Sequence, residues 1–285
     1  MKELLVYAAS PAKDQLFLSF AAHIARDLDA TVRYLNIVTP AEYPAGISVN
    51  PGAAAQSHQN SIELKEKAGH HLELQIKKLN ASDPDLPLLE YSIETGNPPD
   101  IFHEYAKNKR VCAIMLSGPK DKSSFLDDSS NINILRKVKC PVWIIPKGIT
   151  YKPFSEILYA TDYHDEDLPN LKHLARFASR FPAAITAVHI TRDDNFQEKI
   201  KGEGFINMIK KETGYEMISM KVLPETGSEP LVTELHNFAL MMDADLIVLL
   251  RENRKFTDRL IHGSRSEKIA RETQLPVLIF NAERK

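Results

Sequence analysis

The stretch Thr161-Asp162-Tyr163-His164-Asp165-Glu166-Asp167 gathers hydrogen-bonding and titratable side chains directly behind a short apolar run, Ile157-Leu158-Tyr159-Ala160. A carboxylate at Asp162, just past a strand-like run, is placed to accept hydrogen bonds from a ligand hydroxyl or from backbone donors. A helix N-cap or turn acid would look the same, and the sequence leaves both readings open. Further along, Gly263-Ser264-Arg265 opens a helix-like stretch. Backbone N–H groups at a helix start suit an anion, and a serine adds a donor; simple capping by Ser264 explains the pattern equally well. Arg251, Arg254, Lys255 and Arg259 lie just upstream, either as charge for an anionic ligand or as a solvated loop.

Other constellations point to less. His70 and His71 are adjacent on a helix-like stretch, so they project to different sides and make poor joint ligands. His164 between Asp162 and Asp165 has metal-ligand types, but neighbouring acids at a turn are ordinarily solvated, and no metal is expected. There is no Gly-x-Ser-x-Gly elbow, no phosphate-loop Gly-x4-Gly-Lys-Ser/Thr and no zinc-type Cys/His cluster. Cys112 and Cys140 stand in apolar strand-like contexts, where buried thiols behave as small hydrophobes and fit a reducing compartment. Trp143, the single tryptophan, reads as a packing residue.

What must position these residues is an alternation of short apolar runs with longer amphipathic ones. Strand-like runs fall at Leu4–Ala9, Thr31–Val38, Leu88–Ile93, Val111–Leu116 and Pro141–Pro146. Between the first two, Phe17, Phe20, Ala21, Ile24, Ala25 and Leu28 recur at three- and four-residue steps, one buried helix face. A weaker version runs from Ile62 to Leu79. Strands separated by helices imply parallel pairing through crossovers. The series then repeats at Ile157–Ala160, Ala184–Ile190, Tyr215–Val222, Leu246–Leu250 and Pro276–Phe280. Glu94-Thr95-Gly96-Asn97-Pro98 matches Glu225-Thr226-Gly227-Ser228-Glu229-Pro230, and Cys140-Pro141-Val142-Trp143-Ile144-Ile145 matches Leu275-Pro276-Val277-Leu278-Ile279-Phe280. The reading is two α/β units, 1–147 and 152–285, joined where Pro, Gly and Lys break the periodicity. The first unit carries an extra Pro/Gly/Ala-rich segment, Thr39–Gln56.

At 285 residues the chain suits two such units, each able to bury its own core. A net charge of −2 supplies no basic stripe for nucleic acid or an anionic membrane. No run approaches the ~20 apolar residues of a membrane span, and the opening Met1-Lys2-Glu3-Leu4 lacks a secretory pattern. A cytoplasmic protein is expected.

The tail Gly263-Ser264-Arg265 through Pro276-Val277-Leu278-Ile279, echoed by Asn131–Ile145, resembles the C-terminal signature of universal stress proteins. The acid after the first strand of the second unit and the Gly-x-Pro-like turns fit as well, and the resemblance spans nearly the whole chain, twice. It implies two tandem Rossmann-like (adenine nucleotide alpha hydrolase-like) domains, each a five-stranded parallel sheet of order 3-2-1-4-5 sandwiched by helices. Ligands in such sheets bind beyond the carboxyl ends of the strands where their order reverses. In the second unit that site would be built from Asp162, Ile190, Gly263, Ser264 and Arg265; in the first, Ser10 stands where the acid would be.

ATP-binding members of that family carry Gly-x2-Gly-x9-Gly-Ser/Thr after the fourth strand, glycines that let backbone amides approach phosphates. Here the positions read Leu250, Asn253 and Gly263-Ser264 in the second unit and Met115, Gly118 and Asp128-Ser129 in the first. Side chains at Leu250 and Met115 would fill the phosphate space, and Asp127 and Asp128 would repel it. The expectation is therefore a non-enzymatic stress-response protein that binds a partner protein or small ligand, its two units forming an internal pseudo-dimer through their last strands, with a further homodimer open. The alternative is an ATP- or AMP-binding sensor, a weak ATPase at most, using the second unit. An electron-transfer-flavoprotein-like domain is a third, disfavoured by the short repeated units.

Overall fold

The computed structural model describes residues 2–8, 15–38, 69–70, 72–118, 129–163, 167–192, 195–227, 231–250 and 275–281. Ten strands form one sheet: β1 (Lys2–Tyr7), β2 (Ala30–Val38), β3 (Leu89–Thr95), β4 (Val111–Ser117), β5 (Val142–Ile145), β6 (Glu156–Ala160), β7 (Ala184–Thr191), β8 (Ile218–Pro224), β9 (Leu246–Leu250) and β10 (Val277–Phe280). Their spatial order is β3-β2-β1-β4-β5-β10-β9-β6-β7-β8. Each half thus has the order 3-2-1-4-5, all parallel inside the half. The halves meet at one antiparallel pair, with Val277, Leu278 and Ile279 of β10 opposite Ile144, Trp143 and Val142 of β5.

The helices are α1 (Gln15–Asp27), α2 (72–82), α3 (Pro98–Tyr105), α4 (Ser129–Lys137), α5 (Asp167–Ala178), α6 (Phe196–Thr213) and α7 (Leu231–Met241). Successive strand residues point to opposite faces, so each core strand feeds two layers. One layer takes Leu4, Val6, Tyr34, Trp143 and Tyr159 against α1, α2, α5 and α6. The other takes Leu5, Leu35, Ile114, Val142 and Leu158 against α3, α4 and α7. The α1 face read from the sequence is the buried one, with Phe17, Phe20, Ala21, Ile24 and Ala25 inside. The matched turns adopt left-handed backbone at equivalent places: Gly96 has φ 148° and Gly227 has φ 68°, each following its Glu-Thr pair.

One strand departs from the sequence reading. The run Tyr215–Val222 does not pair from its start; β8 begins at Ile218 and continues to Pro224. Gly214 closes α6 as a left-handed C-cap, and the Tyr215 amide donates to Thr213 Oγ1 at 3.1 Å. Tyr215 Oη then donates to the Ala183 carbonyl. These residues finish the helix and anchor the loop, so the ladder starts three positions later.

Across the seam between halves, rings from both sides stack on the connecting segment. Trp143 lies 6.1 Å from Phe154 and 5.6 Å from Phe177 between ring centroids. Tyr151 meets Phe20 edge-on at 5.5 Å and stacks on His23 at 4.5 Å. The segment is also pinned at its far end by Asp245, at the foot of β9. One carboxylate oxygen accepts from the Ser155 amide (2.8 Å), Ser155 Oγ (2.7 Å) and the Glu156 amide (3.1 Å), while Lys152 pairs with the other.

Burial alone would raise the pKa of Asp245, but the hydrogen bonds from Lys152, Ser155 and the two amides more than offset it and hold the carboxyl below its usual value. Asp245→Ala leaves those amides without their acceptor and should cost about 1–3 kcal/mol in denaturant unfolding. Because the folded pKa is depressed, this contribution is present above the unfolded carboxylate value and fades as pH falls through the folded one. The wild-type advantage over the variant should therefore shrink on acidification.

Candidate ligand site at the tips of β6 and β7

Past the end of β6 the backbone remains in the ladder for one residue, the Thr161 amide donating to the Val188 carbonyl at 2.9 Å. Thr161 is then held from below: its Oγ1 donates to Asp167 Oδ2 at 2.7 Å, and Tyr159 Oη donates to Asp167 Oδ1 at 2.6 Å. Asp167, in the first turn of α5, is 1% exposed. Two hydroxyl donors inside the protein satisfy this carboxylate, and its charge and burial push the Tyr159 phenol well up, burial being the larger cause.

On that base stands a compact polar cluster. His189 of β7 places Nδ1 2.9 Å from the Thr161 carbonyl and 3.5 Å from Asp162 Oδ1. Since a carbonyl only accepts, Nδ1 carries a proton, and Nε2 is the nitrogen that titrates. Nε2 faces Glu198 Oε2 at 3.9 Å. Glu198 sits in the first turn of α6, where its amide donates to the N-cap Asn195 Oδ1 at 3.1 Å, and its other oxygen pairs with Lys201. The imidazole is thus bracketed by two carboxylates. Burial works to lower its pKa, but the Asp162 hydrogen bond, the Thr161 carbonyl and the charges of Asp162 and Glu198 outweigh it and raise the pKa above the ordinary value.

Tyr163 closes the cluster from above. Its φ of 60° places a non-glycine residue in the left-handed region, steadied by its amide donating to Thr161 Oγ1 at 3.0 Å. The ring leans on His189 with centroids 4.4 Å apart and meets Phe205 edge-on at 5.5 Å. Its hydroxyl is buried with no hydrogen-bond partner among the described residues, and burial raises the phenol to about 12. That position exists because residue 202 lacks a side chain. A Cβ on Gly202 would lie 3.2 Å from Tyr163 Oη and 3.0 Å from Met220 Cγ.

Of the residues proposed from the sequence, Asp162 is at the strand tip, partly exposed and oriented by His189. Ile190 is adjacent in sequence but packs on the opposite face of the sheet, among Leu158, Ala160 and Val188, because strand side chains alternate. The structure brings Asp162 together with His189, Glu198 and Tyr163 instead. Gly263, Ser264 and Arg265 lie outside the described residues, as do Asn253, His164 and the Arg251–Arg259 cations.

His189 and Glu198 escaped the sequence reading. A histidine one residue before Ile190 carries no motif, and only the parallel register of β6 with β7, Ala160 opposite Val188, brings it beside Asp162. Among its described residues the first half shows no such cluster. Following the ladder outward from the seam pair of Trp143 and Leu278, Tyr34 matches Ala187, so Asn36 stands where His189 stands in the second half.

The glycine-motif positions need a correction. Met115 and Leu250 were expected to project into the space of a phosphate loop. Met115 instead lies inside β4 and is fully buried between Val6 and Trp143 in the ladder, and Leu250 is the last residue of β9, opposite Phe280. Both are core side chains, because each lies within a strand on the face that packs against the helices. Gly118, just past β4, has its amide committed to the Ile145 carbonyl at 2.7 Å, and Asn131 Nδ2 holds the Ser117 carbonyl at 3.1 Å. The described part of the first half therefore offers no open amide cradle at this point.

The cysteines also differ from expectation. Both are half-buried rather than buried, and burial raises both thiols, Cys140 to about 12, so they stay protonated and unreactive. Among the described residues no group of three His, Cys, Asp or Glu side chains is disposed to hold a metal, and no helix is long and apolar enough to cross a membrane.

A family model described as the universal stress protein family matches residues 1–146. The chain belongs to the universal stress protein family. A curated relative, a universal stress protein of Methanocaldococcus jannaschii, is 25% identical over 144 residues, covering 46% of this chain and 85% of its own length. Among solved structures, a universal stress protein from Archaeoglobus fulgidus superposes with a TM-score of 0.66 at 15% identity, over 98% of this chain and 96% of the other. A putative universal stress protein from Pseudomonas aeruginosa gives 0.55 at 16% identity, over 99% and 93%. These two likenesses establish the fold across the whole chain.

NMR titration of the histidine ring should place His189 above the ordinary histidine value, and Asp162→Asn should bring it down. Because the folded pKa is raised, the stability the pair contributes is full below the unfolded value and is lost as pH rises through the folded one. Gly202→Ala pits about 1–3 kcal/mol of overpacking against a helix-propensity gain of about 1 kcal/mol. Thermal unfolding should register a net loss, with Tyr163 displaced from His189.

Proposed function

We propose that this universal stress protein is a non-enzymatic binding protein of the stress response, made of units 1–147 and 152–285 joined as an internal pseudo-dimer through β5 and β10. It acts by holding a partner protein or small ligand at the Asp162 end of the second unit, in the cytoplasm. The observation that carries this reading is the pairing of a built recognition cluster with core side chains at the motif positions. Asp162 is braced by His189, while Met115 and Leu250 are buried in strands. A site so arranged supplies hydrogen bonding and shape without the family's glycine cradle for phosphates. The functional step from fold to binding rests on the site, as fold alone fixes no activity.

The second reading is an adenine-nucleotide sensor that uses only the second unit, with Asp162 taking a ligand hydroxyl and Gly263-Ser264-Arg265 the anion. Asp162 favours it, since its partly exposed carboxylate stands at the strand tip where such sheets bind ligands. No described residue is poised as a base toward a water or phosphate outside the cluster, because the free nitrogen of His189 faces Glu198.

The test is to denature the purified chain, identify released small molecules by mass spectrometry, and titrate the stripped protein with ATP and magnesium by calorimetry. No nucleotide released and no heat is the expected outcome. Bound ATP or AMP, with binding lost in Asp162→Ala, would install the sensor reading instead.

A further inference from the structure

A second cavity, separate from the Asp162 cluster, opens where β1, β4 and β5 begin and β10 ends. It has a volume of about 940 Å³ and is walled by the last turn of α1 and by α5. Its chemistry is divided. Trp143, Phe177, Leu278 and Phe280 form a buried floor, each at most 7% exposed, the first three from the packed seam between the halves, with Leu28, Pro141 and Pro169 more open around it. Around them stand five cationic side chains, Lys2, Lys109, Lys139, Arg176 and Arg180, with Asp27 as the one lining carboxylate among the described residues.

The single acid is already committed. Asp27 accepts from Tyr151 Oη and pairs with Arg26. Arg180 is paired with Asp29. Lys2, Lys109, Lys139 and Arg176 make no ion pair among the described residues. Four cations without an ion pair among the described residues converge on one cleft in a chain whose net charge is −2. Their field is visible on a neighbour: the pKa of His173, in the same wall, is lowered by partial burial and then by the charges of Arg176 and Lys2. Long basic side chains can lay their stems on apolar surface while their heads face an anion, and low-dielectric walls focus such a field on what enters.

We infer that this cleft binds a small organic anion, a molecule with an apolar body that lies on Leu28, Pro141 and Pro169 above the buried Trp143 floor and an acidic head group held among Lys2, Lys109, Lys139 and Arg176. The volume suits a molecule of drug or metabolite size. Four cations around one cleft are too few for the extended phosphate tracking of nucleic acid. The site does not depend on the nucleotide question at Asp162, since it shares no residue with that cluster.

Trp143 is the only tryptophan, so its emission reports on this cavity without interference. The experiment titrates the full chain with 8-anilino-1-naphthalenesulfonate, an aromatic anion, and in parallel with the uncharged N-phenyl-1-naphthylamine, following quenching of Trp143. Saturable quenching is expected with the sulfonate, at least about tenfold tighter than with the neutral analogue and weakening as salt rises. The double variant Lys139→Glu/Arg176→Glu should weaken sulfonate binding by about tenfold or more, whereas Lys77→Glu/Lys221→Glu, remote from the cleft, should not. Circular dichroism checks folding of each variant, and Lys139→Gln/Arg176→Gln replaces the reversal if it fails to fold. Equal affinity for the charged and neutral probes, binding indifferent to the cleft substitutions, or no change in Trp143 emission would overturn the proposal.

Discussion

Everything in this molecule depends on a very short antiparallel contact. Only three residue pairs join β5 to β10, yet that ladder converts two five-stranded sheets into one of ten. Two strands of four residues do not hold a domain interface alone. The contact persists because hydrophobic and aromatic surface is stacked on it. Trp143, Phe154, Phe177 and Phe181 form a continuous ring cluster on one face, while Val142, Ile144, Val277 and Ile279 bury the other. Tyr151–Asp27 and Arg180–Asp29 reach across the same boundary, and Asn281 Nδ2 donates to the Cys140 carbonyl at 2.9 Å. The connecting segment is part of this packing, with Phe154 among the rings and Ser155 fastened to Asp245.

The same arrangement governs the site. A parallel ladder with fixed register decides which side chains meet at the strand tips, and the β6–β7 register is what sets His189 beside the residue following β6. The supporting carboxylate, Asp167, is placed by the first turn of α5, whose last turn carries Phe177 into the seam. The geometry of the polar cluster and the packing between halves are therefore carried by one helix. A shift of α5 would disturb both.

Local pattern made the architecture legible. Period-2 apolar runs and the three-four spacing of Phe17, Phe20, Ala21, Ile24 and Ala25 report burial directly, and repeated turns such as Glu94-Thr95-Gly96 and Glu225-Thr226-Gly227 report backbone conformation. The site was legible only where a single residue marks a strand tip, as Asp162 does. His189, Glu198 and Tyr163 come from three elements, and Gly202 matters only because a phenol happens to rest on it; nothing in their own neighbourhoods advertises the meeting. Ile190 and Met115 turn their side chains to the core for a related reason. Which face a strand residue takes, and how far a strand runs before the chain leaves it, follow from pairing partners distant in sequence.

Covalent linkage of the halves has a further effect on the seam. When two copies of one sequence pair about a twofold axis, each residue near the axis must fit against its own duplicate, so a large ring there meets another large ring. In this chain Trp143 lies opposite Leu278, a bulky partner matched to a smaller one. Because the connecting segment keeps the two surfaces together at high effective concentration, neither has to be complementary to itself. The two sides are free to specialise: one keeps an imidazole between carboxylates where the other has Asn36, and the seam between them is lopsided enough to leave a cleft at one end.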